Sequence, residues 1–134
     1  MRIADVMTRD LPMVGPEDNL RTAAREMKEA GVKALPVREG DRLVGIITDW
    51  DVTRAVAEDN DPAQQLLSHC MTTDLVSVTP DTSFMEATEE MADHRIHHLL
   101  VCEEGKFCGM VHLDVEWSEL GGLETPHATF AAAI

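Results

Sequence analysis

Thr48 and Asp51 stand three residues apart where an apolar run, Gly45-Ile46-Ile47, gives way to charged residues. An ionised carboxylate only accepts hydrogen bonds, so Asp51 suits a pair of vicinal hydroxyls, with Thr48 adding a hydroxyl beside it. The same spacing fits a plainer role, with Asp51 in the first turn of a helix near its positive end and Thr48 as the cap. Residue types alone leave both roles open. A second group, His94, His97, His98 and His112 with Cys102 and Cys108, gathers borderline and soft metal ligands in the second half of the chain. His94 and His97 could offer one nitrogen pair, but no second pair has zinc spacing, and the strand period of two sends neighbouring histidines to opposite faces. A designed metal site is therefore not expected. No nucleophile, base and orienting acid recur at a recognisable spacing, and no Gly-rich phosphate loop is present, so catalysis is not expected either.

These residues belong to a chain that repeats itself. A shift of 64 positions lays Met7-Thr8 on Met71-Thr72, Asp10-Leu11 on Asp74-Leu75, Val14 on Val78, Glu26-Met27 on Glu90-Met91, Leu35 on Leu99, Val37 on Val101 and Gly45 on Gly109, without a gap. Two copies are too few for an open solenoid, which needs three or more units. At 134 residues in all, each copy is near the lower size at which one core supports itself, so the copies are expected to fold against each other. The repeat predicts one unit over 1–64 with a short lead-in, a second over 65–120, and a tail over 121–134.

Each copy reads as strand, helix, strand, strand, helix. Pro12 to Val14 is a brief strand stopped by Gly15-Pro16. Leu20, Ala23, Ala24, Met27 and Ala30 then recur at helical spacing between charged residues, with Asn19 as N-cap and Gly31 as stop. Ala34 to Arg38 and Arg42 to Thr48 flank Glu39-Gly40-Asp41 as an antiparallel hairpin, and Val52, Ala55 and Val56 mark a second helix. In the second copy the order is Val76 to Val78, a helix from Ser83 to about His94 whose Ser83 and Glu86 have capping-box spacing, strands around His98 to Cys102 and Lys106 to His112, and a helix from about Asp114. The crossover between the first two strands of a copy makes them parallel. Ile3 to Met7 and Leu67 to Met71 are equivalent helical lead-ins, and Glu58 to Pro62 reads as a polar linker holding the copies face to face. The methionines at 7, 27, 71 and 91 are expected to pack in the core.

Composition narrows the function. With 25 acidic against 11 basic residues the net charge is −14, which repels nucleic acid and anionic membrane surfaces, and aromatics for base stacking make up only 4%. Asp5 and Asp10 interrupt any apolar leader, no apolar run approaches a membrane span, and three cysteines without a CxxC pair suit a reducing compartment. A cytoplasmic protein is expected.

The sequence resembles a pair of CBS domains, the regulatory unit also called a Bateman module, over about residues 3 to 120. The likeness is carried by Asp5-Val6-Met7-Thr8, by the stretches Gly31 to Val37 and Gly45 to Asp51, and in the second copy by Cys70-Met71-Thr72, Val76 to Ala87 and His94 to Val101. The resemblance implies an α/β fold of two pseudo-symmetric β-α-β-β-α units packed as a pair, often as a homodimer, with clefts that bind AMP, ADP, ATP or S-adenosylmethionine and pass the event to a partner protein. It also implies that Thr48 and Asp51 meet ribose and that Lys33, His97 and His98, just ahead of the Leu35 and Leu99 strand positions, meet phosphate. In the second copy Thr48 becomes His112 and Asp51 becomes Val115, so one degenerate site is expected there, and Leu100 replaces Pro36, restoring a strand N–H. Two other readings stay open, a dimerisation or interaction module that needs no ligand and a metal or redox sensor built on the second copy's His and Cys.

Overall fold

The structure of the protein, a computed structural model, describes residues 1–114 and the backbone of the pair 129–130. Two compact units make up the chain, one of residues 10–75 and one of residues 1–9 joined by 76 onward.

In the 10–75 unit, helix α1 (Leu20–Ala30) begins where the Asn19 side chain accepts the Thr22 N–H at 2.8 Å, and it stops at Gly31, whose φ of 71° is left-handed. Leu20, Ala23 and Met27 form its buried stripe. Strands β1 (Ala34–Glu39) and β2 (Arg42–Thr48) pair antiparallel, with a register shift after Val37, and helix α2 (Asp49–Ala57) leaves directly from β2. The short helix α3 (Leu67–Cys70) follows. Val14, Leu20, Ala23, Met27, Leu35, Val37, Ile47, Ala55 and Leu67 are the core, with Met71 packed against it.

The other unit repeats this plan. Strand β3 (Ser77–Val78) runs parallel to β4 (His98–Glu103), which pairs antiparallel with β5 (Lys106–Asp114), again with a shift at the equivalent position, after Val101. Helix α4 (Phe84–His94) is capped by Ser83, which accepts the Glu86 N–H at 3.1 Å, and it ends at Arg95 in the left-handed region at φ 52°. The turn of the hairpin, Glu104-Gly105, has positive φ at both residues. A two-residue strand β6 (Thr129–Phe130) pairs with the end of β5. Ile3, Ala87, Met91, Leu99, Val101, Val111 and Leu113 are the core here, each worth about 1.5–3 kcal/mol for the larger side chains.

Four expectations are revised. The strand at Pro12 to Val14 reduces to one parallel bridge, Val14 to Val37. Its counterpart β3 is longer because Leu100 donates its N–H to the Val76 carbonyl at 3.4 Å, a bond that Pro36 cannot make. The helix placed at about Asp114 does not begin there, since β5 continues through Asp114; the rest of that helix and the tail lie outside the described residues, apart from β6. Glu58 to Pro62 is not a connection between units but part of the 10–75 unit, where the Pro62 carbonyl accepts the Arg21 N–H at 3.1 Å.

The fourth concerns the lead-ins. Division by repeat, at 64, differs from division by packing, because each lead-in docks on the opposite repeat. Residues 1–4 bond to 80–84 through Ile3 N–H to Thr82 O, Ala4 N–H to Pro80 O and Phe84 N–H to Met1 O, each 2.9 Å. The same three bonds recur 64 positions on for the lead-in and 64 back for its acceptor segment, as Leu67 to Asp18, Ser68 to Pro16 and Leu20 to Gln65. Each lead-in then makes a two-way bridge to the second hairpin strand, Thr72 with Ile46 and Thr8 with Met110, at 2.8–3.0 Å. A glycine precedes each bridge for a steric reason. A Cβ on Gly109 would fall 2.6 Å from the Thr8 carbonyl oxygen, and one on Gly45 would fall 2.6 Å from Met71 Sδ and 3.1 Å from the Thr72 carbonyl.

Gly109→Ala meets backbone, whereas Gly45→Ala meets chiefly a movable thioether. Urea unfolding is expected to show about 2–3 kcal/mol lost for Gly109→Ala and roughly 1 kcal/mol for Gly45→Ala; equal losses would remove the close-approach account.

Candidate functional site

The β2-to-α2 corner is where the local structure produces a buried carboxylate. Asp51 is only 5% exposed although it sits in the first turn of a helix. Its Oδ2 accepts the Thr48 backbone N–H at 2.8 Å and the Thr48 hydroxyl at 3.2 Å, which is the acidic half of a capping box. Its Oδ1 accepts a guanidinium N–H of Arg54 at 2.9 Å, three residues along the same helix. Of about four acceptor positions on a carboxylate, three are therefore filled within the corner. The capping role is the one on view, and the oxygen that caps α2 is distinct from the oxygen that faces Arg54.

A cavity of about 210 Å³ opens beside this corner, within the 10–75 unit, and Asp51, Arg54, Glu58, Asn60, His69 and Cys70 are among its lining. It is smaller than the roughly 300–1,000 Å³ of whole small-molecule pockets. Sequence reasoning passed over Arg54, although the Asp-x-x-Arg spacing on one helix was a usable signal. It also passed over His69 and Cys70, which only the docking of the second lead-in on the first repeat brings to the cavity. Burial, and then the Asp51 charge, push the Cys70 thiol up, against a smaller opposing effect of Arg54.

Of the other candidates, Lys33 is exposed, and its carbonyl accepts the Asp49 N–H at 2.9 Å, so its backbone abuts the start of α2. The equivalent bond in the other unit is Leu113 N–H to the His97 carbonyl, also 2.9 Å. His98 is half-buried in β4, directly opposite His112 on β5, with ring centroids 4.4 Å apart and planes inclined by 32°. The equivalent register pair in the 10–75 unit is Ala34 with Thr48. Two imidazoles thus stand where the first repeat has a methyl and a hydroxyl. Thr48 and Asp51 are in contact, and Lys33 shares their unit; His97 and His98 belong to the other. Val115 lies outside the described residues.

Among the described residues, no group of three or more His, Cys, Asp or Glu is placed to hold a metal ion. His94 Nδ1 lies 2.9 Å from the Glu90 carbonyl within α4. Burial, and then Cys108, push the Cys102 thiol up as well, away from the low-pKa thiolate that a redox sensor uses. No described helix is long and apolar enough to cross a membrane.

Two duplicated α/β units, each built of a crossover and a hairpin with its lead-in docked on the hairpin's second strand, define the class, and comparison agrees. The chain belongs to the CBS-domain family, which it matches over residues 3–58 and 67–114, one stretch per repeat. It is 38% identical over 121 residues to the Bacillus subtilis protein YlbB, covering 88% of this chain and 82% of that one. A crystal structure of a conserved protein from Pyrococcus horikoshii is 33% identical with a TM-score of 0.75, covering 83% of this chain and 85% of that one. The CBS domain protein PAE2072 from Pyrobaculum aerophilum, solved complexed with AMP, shares the fold at 20% identity and a TM-score of 0.76, covering 84% of this chain and 87% of that one.

Thr48→Ala and Asp51→Ala are each expected to cost about 1 kcal/mol of unfolding free energy, and the double variant less than the sum, because both break one cap; urea denaturation of the three variants measures this. In a background with Cys102 and Cys108 replaced by Ser, alkylation of Cys70 is expected to keep accelerating above the pH at which a free thiol levels off. Arg54→Gln removes the one opposing charge and is expected to slow alkylation further at pH 8.

Proposed function

We propose that the chain is a non-catalytic regulatory module that takes an adenosine-type ligand, AMP, ADP, ATP or S-adenosylmethionine, at the Thr48 and Asp51 corner and signals the event to a partner protein. The observation that carries this reading is the buried carboxylate with a hydroxyl beside it, opening on a cavity of about 210 Å³. An acceptor-only group at such a corner recognises sugar hydroxyls, while Lys33, in the same unit, would serve the phosphate. Proteins of the same fold support the ligand class. PAE2072 holds AMP, and the CBS domain pair of MJ0100, 21% identical, was solved with 5′-methylthioadenosine and S-adenosylmethionine. A match of 111 residues, 37% identical, spans 22% of the inosine-5′-monophosphate dehydrogenase of Korarchaeum cryptofilum, which supports a unit that works alongside a catalytic partner.

The net charge of −14 ranks the ligands. A triphosphate brings several negative charges to an acidic protein, so AMP and the cationic S-adenosylmethionine stand above ATP. The imidazole pair at the equivalent corner of the other unit favours one working site per chain. A homodimer in the cytoplasm completes the reading. A ligand-independent interaction module is the second reading, favoured by that same filled corner.

Isothermal titration with AMP and S-adenosylmethionine is expected to give one site per chain, lost in Asp51→Ala and weakened in Asp51→Asn, which keeps a capping acceptor. Silence from every adenosine compound, with the protein folded, would sink this reading in favour of the second.

A further inference from the structure

The two oxygens of Asp51 carry different obligations. Oδ2 takes both the N–H and the hydroxyl of Thr48, and giving it up uncaps α2. Oδ1 faces Arg54, and it is the oxygen that a ligand's hydroxyl must reach. The exposures of the two partners are unequal, 6% for the Asp51 side chain and 46% for that of Arg54. The guanidinium is thus the member that can move, and half-exposed ion pairs are weak enough to exchange. A place for it to go exists as well: Glu58, one turn further along from Arg54, lines the same cavity.

Resting on the reading that this corner holds a sugar, we propose that Arg54 is a built-in competitor for that sugar, an inhibitory contact that occupies Asp51 Oδ1 until a vicinal hydroxyl displaces it. One ligand hydroxyl donates to Oδ1. The other donates to Thr48 Oγ1, whose lone pairs accept while its own O–H goes on donating to Asp51 Oδ2. Asp51 remains ionised and hydrogen-bonded before and after, so no buried charge is stranded during the exchange. The released guanidinium turns toward Glu58. Affinity at the site is then set by the difference between two occupants of one oxygen, and the basic residue opposes binding, the reverse of what a basic residue beside a nucleotide does when it holds phosphate.

Adenosine is the probe, because it has the vicinal hydroxyls and no phosphate for Arg54 to hold, with 2′,3′-dideoxyadenosine as the control. Arg54→Gln is expected to bind adenosine about fivefold tighter than wild type and to leave the control unchanged. Raising NaCl from about 50 to 500 mM screens the ion pair, so wild-type affinity for adenosine is expected to rise while that of the variant stays level. The salt series on wild type needs no substitution and stands even where the variant is unstable. Unchanged or weaker adenosine binding by a folded Arg54→Gln, or wild-type binding that falls or stays level with salt, overturns the competitor and leaves the site intact. Adenosine binding that Asp51→Asn does not weaken, or no binding by either folded protein, overturns the site reading itself and the competitor with it.

Discussion

Backbone meeting backbone over a missing side chain is the constraint on which both units depend. At Gly109 the space a Cβ would need belongs to the Thr8 carbonyl, and at Gly45 it is shared between Met71 and the Thr72 carbonyl. Only with that space free can the lead-in lie close enough for its two-way bridge to the strand. The bridge shields the outer edge of β2 and of β5, where unpaired N–H and carbonyl groups would otherwise invite other chains. It also places α3, with Cys70 and His69, against the corner at the head of α2. The repeated Met-Thr and the repeated Gly are thus two halves of one contact, although they lie in different repeats.

Asp51 is held in place by its own helix. A carboxylate in the first helical turn gains from the helix dipole and from the Thr48 N–H, and those gains hold it at the corner without any ligand. The second repeat shows the alternative outcome, where β5 runs on through Asp114 and an imidazole pair takes the place of the methyl and hydroxyl. Duplication preserved the scaffold bonds to within a few tenths of an ångström while the two corners diverged, so the corner residues are not what the fold requires.

Periodicity in the sequence was sufficient for α1, α4 and both hairpins, because helical spacing, an Asn or Ser cap and a Gly turn act locally. It was insufficient where the deciding contact is distant. Equivalence at an offset of 64 says which segments are alike, not which copy they pack upon, and so the exchange of lead-ins was not visible. The Pro12 to Val14 strand was overestimated because the missing N–H of Pro36 lies on its partner. Arg95 ends α4 in the left-handed region that Gly31 occupies in the first repeat, at a cost of about 1 kcal/mol that residue type alone does not advertise. At the candidate site the contact between Thr48 and Asp51 was readable from their spacing, but the ion pair that Arg54 makes with the second oxygen was passed over.

Exchange of the lead-ins also imposes an order on synthesis. As the chain leaves the ribosome, residues 10–75 hold everything their unit needs, including α3, and can close while the remainder is still being made. Residues 1–9, made before that unit, have no strand to dock on until Gly109 and Met110 emerge about a hundred residues later. A segment made before the 10–75 unit is therefore seated after it, and its apolar Ile3 stays in water, or in the care of a chaperone, until its partner strand is complete.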